Sequence, residues 1–169
     1  MKNFYDLFVV ELQNMYNAEK QILTALPHLI EVASAGDLKE ALRHHLKETK
    51  EQVSRLELIA EELDEKLVEG KSEGMAGLLK DGAKAGKARY DKAAKDAGII
   101  AALQRVEHYE IAAYGVLKSL AKHLNLTGIE HLLQASSKEE GKANKKLNEL
   151  AEGSYFSTGI NDKACKRCA

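Results

Sequence analysis

The feature that most restricts this chain is a helical hydrophobic repeat with acidic residues set into it. Apolar side chains recur at steps of three and four, the spacing that lines one face of an α-helix. The first stripe is Phe4, Phe8, Leu12, Met15, Ile22, Leu26, Leu29 and Ala33, and Glu19 stands in its single wide gap. The second is Leu38, Leu42, His45, Thr49, Gln52, Leu56, Ile59 and Leu63, with Glu48 beside it. The third is Ile99, Leu103, Val106, Glu110, Tyr114, Leu117, Leu120 and Leu124, with Glu107 one turn before Glu110. The fourth is Ile129, Leu132, Ser136, Glu140, Ala143, Leu147 and Leu150. A surface glutamate needs no explanation, but one aimed at a core does.

Punctuation between the stripes sets the organisation. Ala35-Gly36 ends the first helix. Asp37, with Glu40 three residues on, reads as a capping box for the second. Residues 71–95 hold several Gly and Lys and few large apolar residues, which predicts a partly helical, solvated crossover. Asp96 reads as the cap of a third helix over 97–124. A fourth helix is expected from Ile129 to about Gly153. Two antiparallel hairpins joined by one long connection make an all-α four-helix bundle over residues 1–153, with 154–169 as an extension or loose tail.

Composition removes several alternatives. Nine aromatics, none of them Trp, are too few for a β-sandwich. Twenty-five basic against twenty-six acidic residues give a net charge of −1, which argues against nucleic acid or an anionic membrane as partner. The six basic residues between Lys80 and Asp96 lack interleaved aromatics and read as a solvated connector. The longest uncharged stretch, Gln21 to Ile30, is ten residues, so no segment is expected to span a bilayer. The opening MKNFYDLFVVEL is interrupted by Asp6 and Glu11 and does not read as a signal peptide. The two cysteines, Cys165 and Cys168, form a terminal C-x-x-C without a second ligand pair and read as incidental thiols. The expected compartment is the cytoplasm.

The carboxylates should meet. Counting from a turn at residue 35, Glu19 lies sixteen residues before and Glu48 thirteen after. At a rise of about 1.5 Å per residue they differ in height by roughly 4–5 Å. Counting from 126, Glu110 and Glu140 differ by about 3 Å. The separations within the hairpins, twenty-nine and thirty residues, match, as a structural duplication would. Such a layer can share protons, pair with basic groups or bind cations. Only one of His44 and His45 can face inward; His45 lies on the stripe, and His108 adjoins the helix-three pair. Tyr16, Tyr109 and Tyr114 stand near enough to donate hydrogen bonds. Glu and His ligands converging in a bundle match the di-iron carboxylate arrangement.

The segments LQNMYNAEKQILTALPHL, HHLKETKEQVSRLE, VEHYEIAAYGVLKSLA and LLQASSKEEGKANKKLNELA together resemble the stress-associated ferritin-like family of the YciE/YciF type. That family is similar to rubrerythrin and bacterioferritin in its bundle. The resemblance implies a ferritin-like fold and two metal ions, iron first, with manganese and calcium as alternatives. It implies Glu19, Glu48, Glu107, Glu110 and Glu140 as ligands, with Glu110 and one of Glu48 or Glu140 bridging. Ferritin-like sites have a His three or four residues after the second- and fourth-helix Glu. Here those places hold Glu51 and Gln52, and Ala143 and Asn144. Glu51, Gln52, Asn144, His45 and His108 are therefore additional candidates. The expected role is iron or peroxide handling under stress. The alternative is a non-enzymatic stress protein with a metal-free polar layer, acting by pairing with itself or a related ferritin-like protein. Leu7, Val9 and Val10 offer apolar surface for a homodimer.

Overall fold

A computed structural model describes residues 3–154 and 157–165. Six helices appear in chain order. They are α1 (Phe4–Val32), α2 (Gly36–Glu62), α3 (Glu73–Lys87), α4 (Lys92–His123), α5 (Thr127–Glu152) and α6 (Ile160–Cys165). The strands β1 (Gly153–Ser154) and β2 (Ser157–Thr158) form one short antiparallel pair. The fold is an all-α, ferritin-like bundle of α1, α2, α4 and α5.

Side-chain pairings give the directions. Tyr16 on α1 reaches Glu57 on α2, and Lys118 on α4 reaches Gln134 on α5, so each hairpin is antiparallel. Tyr114 on α4 meets Glu19 on α1, and Arg55 on α2 meets Ser136 and Glu139 on α5. The hairpins are thus joined through α1 with α4 and α2 with α5.

The crossover is a packed element, not the solvated connector its composition suggested. Three amide side chains one turn apart on α1 hold the extended stretch before α3. Gln13 accepts from Val68 N–H and donates to Val68 C=O, each at 2.8 Å. Asn17 accepts from Gly70 N–H at 3.0 Å, and Gln21 from Ser72 N–H at 2.7 Å. The helix α3 then lies on α1 and α4, with Met75, Gly82 and Gly86 buried. A Cβ on Gly86 would stand 2.9 Å from Val32 Cγ2, so the missing side chain permits the close approach. Gly appears there for packing, at the expense of helix propensity.

Capping also differs from expectation. The N-cap of α4 is Asp91, whose carboxylate accepts from Ala93 and Ala94 N–H. Asp96 lies within α4, 2 % exposed, and accepts from Ser34 N–H at 2.8 Å and Ala35 N–H at 2.7 Å. It therefore closes the turn between α1 and α2. That arrangement replaces the Asp37 capping box: α2 starts at Gly36 behind Ala35, which makes no side-chain cap. Residues 154–169 read as an extension or a loose tail, and the described part is an extension of the bundle. Ile160 is buried and α6 packs on α4 and α5. Gly153 has φ +82°, where a side chain would collide with the Ser157 carbonyl. Cys165 is an exposed free thiol, and Cys168 lies outside the described residues.

The core is divided. One apolar lobe contains Ile22, Leu26, Leu38, Leu42, Ile99 and Leu103; the other contains Phe8, Leu12, Leu56, Ile59, Leu117 and Leu133. Buried polar residues come where the helices pass from one lobe to the other: Glu19 between Met15 and Ile22, and Glu107 and Glu110 between Val106 and Tyr114. They sit at intermediate positions along the same helix faces.

Candidate metal centre

Each bundle helix contributes to the polar layer because heptad-like steps of three and four keep those positions inward. Glu107 and Glu110 come from successive turns of α4, His45 from α2, Glu140 from α5 and Glu19 from α1. Glu19, Glu110 and Glu140 are fully buried, and Glu107 and His45 almost so. One nitrogen or oxygen each from His45, Glu107, Glu110 and Glu140 can be chosen so that all four lie within 4.8 Å of one another. His45 Nε2 is 3.6 Å from Glu107 and 4.0 Å from Glu110, and its Nδ1 is 3.9 Å from Glu140. These separations exceed hydrogen-bond length.

Around the four stand supporting groups. Tyr114 donates its hydroxyl proton to Glu19 Oε1 at 2.5 Å, leaving Glu19 Oε2 unpartnered. Gln52 donates from Nε2 to Glu140 and to Glu139. Glu139 is clasped at 2.6 and 2.7 Å by both terminal nitrogens of Arg55, which also reaches Ser136. A bidentate guanidinium neutralises that carboxylate and fixes its plane. Arg55 and Glu139 were not among the residues legible from spacing, since neither interrupts a stripe.

The electrostatics follow from burial. Loss of water pushes the Glu19, Glu107 and Glu110 carboxyls well above the ordinary range, and the neighbouring Glu140 charge adds to it. The Tyr114 hydroxyl pulls Glu19 partly back. Burial raises Glu140 to about 7, although Glu107 and the Gln52 amide act in the other direction. Burial also lowers His45 to about 4, helped by His44, so its imidazole is neutral at physiological pH. The layer thus combines acids reluctant to ionise with a free-base imidazole, both the result of burial away from water.

The other candidates fall outside the four. Glu48 was placed in the layer by helix arithmetic. Its side chain is 18 % exposed and its Oε2 lies 3.0 Å from His44 Nδ1. It lines a cleft together with His45 and Glu107, and its charge reaches Glu107 and Glu140. Glu51 is exposed and faces Lys47 and Arg55 at 3.8 and 3.9 Å, because i+3 from Glu48 turns it off the inner face. His108 is exposed, with Nδ1 2.7 Å from Gln104 C=O. Asn144 is half-buried, with an unpartnered Oδ1. Tyr16 and Tyr109 serve other contacts, with Glu57 and with Asn14 and Ser72.

The sequence pattern of DUF892, a domain of unknown function, matches residues 3–163. The chain belongs to the DUF892 family. Within reach of that family, it is 37 % identical over 152 residues to protein YciF of Escherichia coli K12, covering 89 % of this chain and 92 % of that protein. The crystal structure of that stress protein superposes with a TM-score of 0.86, covering 89 % of this chain and 95 % of that one. YcfI of Rhodopseudomonas palustris matches with a TM-score of 0.85 and 39 % identity, covering 89 % and 96 %. A Xanthomonas campestris protein at 21 % identity, TM-score 0.68, covers 87 % and 89 % and shares the fold. This DUF892 member is therefore a homologue of a stress protein, with a buried His/Glu cluster able to hold a metal. No helix among the described residues is long and apolar enough to cross a membrane.

Proposed function

We propose that this protein is a di-metal carboxylate protein that handles iron or peroxide under stress. The observation that carries the reading is the concentration of unpartnered atoms. Among the described residues, nine buried side-chain nitrogen and oxygen atoms have no hydrogen-bond partner, and they belong to Glu19, His45, Gln52, Glu107, Glu110, Glu140 and Asn144. A buried polar atom left without a partner loses its hydration and gains nothing in return. Cations at this place turn the unpartnered atoms into ligands, and the donor set of carboxylates plus one imidazole suits iron or manganese.

His45, Glu107, Glu110 and Glu140, with Glu19 beside them, would hold the ions. Bound ions supply Lewis-acid and redox chemistry towards a small oxygen species. The rest belongs to the chain. His45 presents a lone pair without first losing a proton. Tyr114 orients Glu19 and keeps a proton at its own oxygen, since burial and the Glu19 charge hold its phenol well above 10. Arg55, Glu139 and Gln52 fix the plane of Glu140. The two apolar lobes exclude water from above and below.

The test is metal content and oxidation. Protein loaded anaerobically with Fe(II) should hold two ions per chain and oxidise them faster than buffer, and Glu110→Ala should lose both properties. Absence of bound metal in the unmodified protein would falsify this reading. Association is a second proposal, favoured by Val10 on α1 and Leu58 on α2, which are 50 % and 55 % exposed. Equilibrium sedimentation should then give a dimer, through self-association or with a related ferritin-like chain.

A further inference from the structure

A buried centre needs a way in, and along the bundle the layer is flanked by two packed apolar lobes. The lateral opening is a cleft of about 630 Å³ between the first half of α2 and the second half of α5. Its lining includes His45 and Glu107, both more than nine-tenths buried. Both nitrogens of His45 and Oε2 of Glu107 are unpartnered. The cleft therefore ends on ligand atoms that nothing else in the chain uses.

We propose that this cleft is the route by which a divalent cation reaches the buried layer, with Glu48 as the carboxylate that passes it inward. The proposal rests on the metal-binding reading above. Glu40, His44 and Glu48 lie at i, i+4 and i+8 on α2, one turn or about 6 Å apart, and all three line the cleft. Side-chain exposure falls along the path, from 70 % at His44 to 18 % at Glu48, then 5 % at His45 and 2 % at Glu107. A hydrated divalent ion gives up its water in stages, and a file of oxygen and nitrogen donors of falling exposure replaces that water step by step. Glu48 is the member that can change sides. Its carboxylate pairs with the exposed His44 at 3.0 Å on one side, while its charge reaches Glu107 and Glu140 on the other. Opposite stand Lys142 and Lys146 on α5, and the Lys142 charge reaches Glu48. These ammonium groups oppose cation entry and set its rate.

Uptake of Co(II) by metal-free protein, followed by stopped-flow visible absorption, tests the route separately from the site. Ala143 lines the cleft and is half-buried, so Ala143→Phe should obstruct it and slow uptake about tenfold, with the final stoichiometry unchanged. Glu48→Gln should slow uptake severalfold with the same endpoint. Lys146 is exposed and tolerates change; Lys146→Glu should speed uptake about tenfold at low salt and lose the gain at high salt. Circular dichroism checks that Ala143→Phe is folded, and Lys146→Glu carries the test if it is not. Uptake at the unmodified rate in Lys146→Glu and in folded Ala143→Phe overturns the route. A Glu48→Gln endpoint short by one ion makes Glu48 an ordinary ligand and overturns its passing role. Failure of the unmodified protein to take up Co(II) at all defeats the metal-binding reading instead.

Discussion

Replacing Glu110 should separate the two demands placed on the polar layer. Its two oxygens are both buried and unpartnered, and its carboxyl is held well above the usual range by burial and by Glu140. A leucine of similar volume removes that cost. Glu110→Leu is therefore expected to stabilise the metal-free protein by about 1–4 kcal/mol in urea denaturation while eliminating metal binding. A loss of stability in the metal-free variant would mean that Glu110 is already satisfied by something else. The same reasoning separates Glu110 from Glu48, whose carboxylate has His44 and solvent and should cost little to keep.

At the level of elements, the turn between α1 and α2 depends on a residue more than sixty positions away. Asp96 accepts from Ser34 and Ala35 N–H, two amides that the end of one helix and the start of the next leave without intrahelical partners. Asp96→Ala strands both and should cost about 2–4 kcal/mol by chemical denaturation. Asp96→Asn keeps one acceptor oxygen and should recover part of the loss. An effect below about 0.5 kcal/mol would show that the turn is set by α1 and α2 alone. The extended stretch before α3 is held in a comparable way, by Gln13, Asn17 and Gln21 acting as a ladder of side-chain amides in place of a neighbouring strand.

For the whole molecule, the buried acids make stability depend on pH and on metal together. Burial raises Glu140 from 4.5 to about 7. A carboxyl raised in the folded state binds its proton more tightly there than in the unfolded chain. Its favourable contribution is complete below pH 4.5 and is lost as pH climbs through about 7. Glu19, Glu107 and Glu110 act in the same direction. His45, lowered from 6.5 to about 4, acts the opposite way between those values and contributes no further change above them. Between pH 6.5 and 8 the carboxyls act alone, so the Tm of the metal-free protein should fall. Metal replaces the protons, so affinity should rise over the same interval and the Tm of Mn(II)-loaded protein should hold or increase. Scanning calorimetry at several pH values, with and without Mn(II), checks both trends; parallel curves would be inconsistent with this account.

Periodicity carried most of the architecture. Steps of three and four from Phe8 to Leu147 marked four inward faces, and a residue that repeats in phase on a helix must share that face whatever it packs against. Glu19, Glu107, Glu110 and Glu140 were legible for that reason, since a charged group in phase with an apolar row cannot avoid the core. Residues between rows were different. Glu48 lies beside its row, so a rotation of a few tens of degrees decides between the layer and the cleft, and that rotation is set by how α2 packs on α5. Asp96 looked like a helix cap because Asp before an apolar run usually is one; its partners, Ser34 and Ala35, are brought to it only by antiparallel packing of α1 against α4. Arg55 with Glu139, and the docking of α3 through Gly82 and Gly86, are likewise contacts between distant segments. Local sequence sets which face a residue occupies, through covalent helix geometry. What that face meets is decided by close packing among helices, where a neighbour's shape and charge weigh as much as the residue's own.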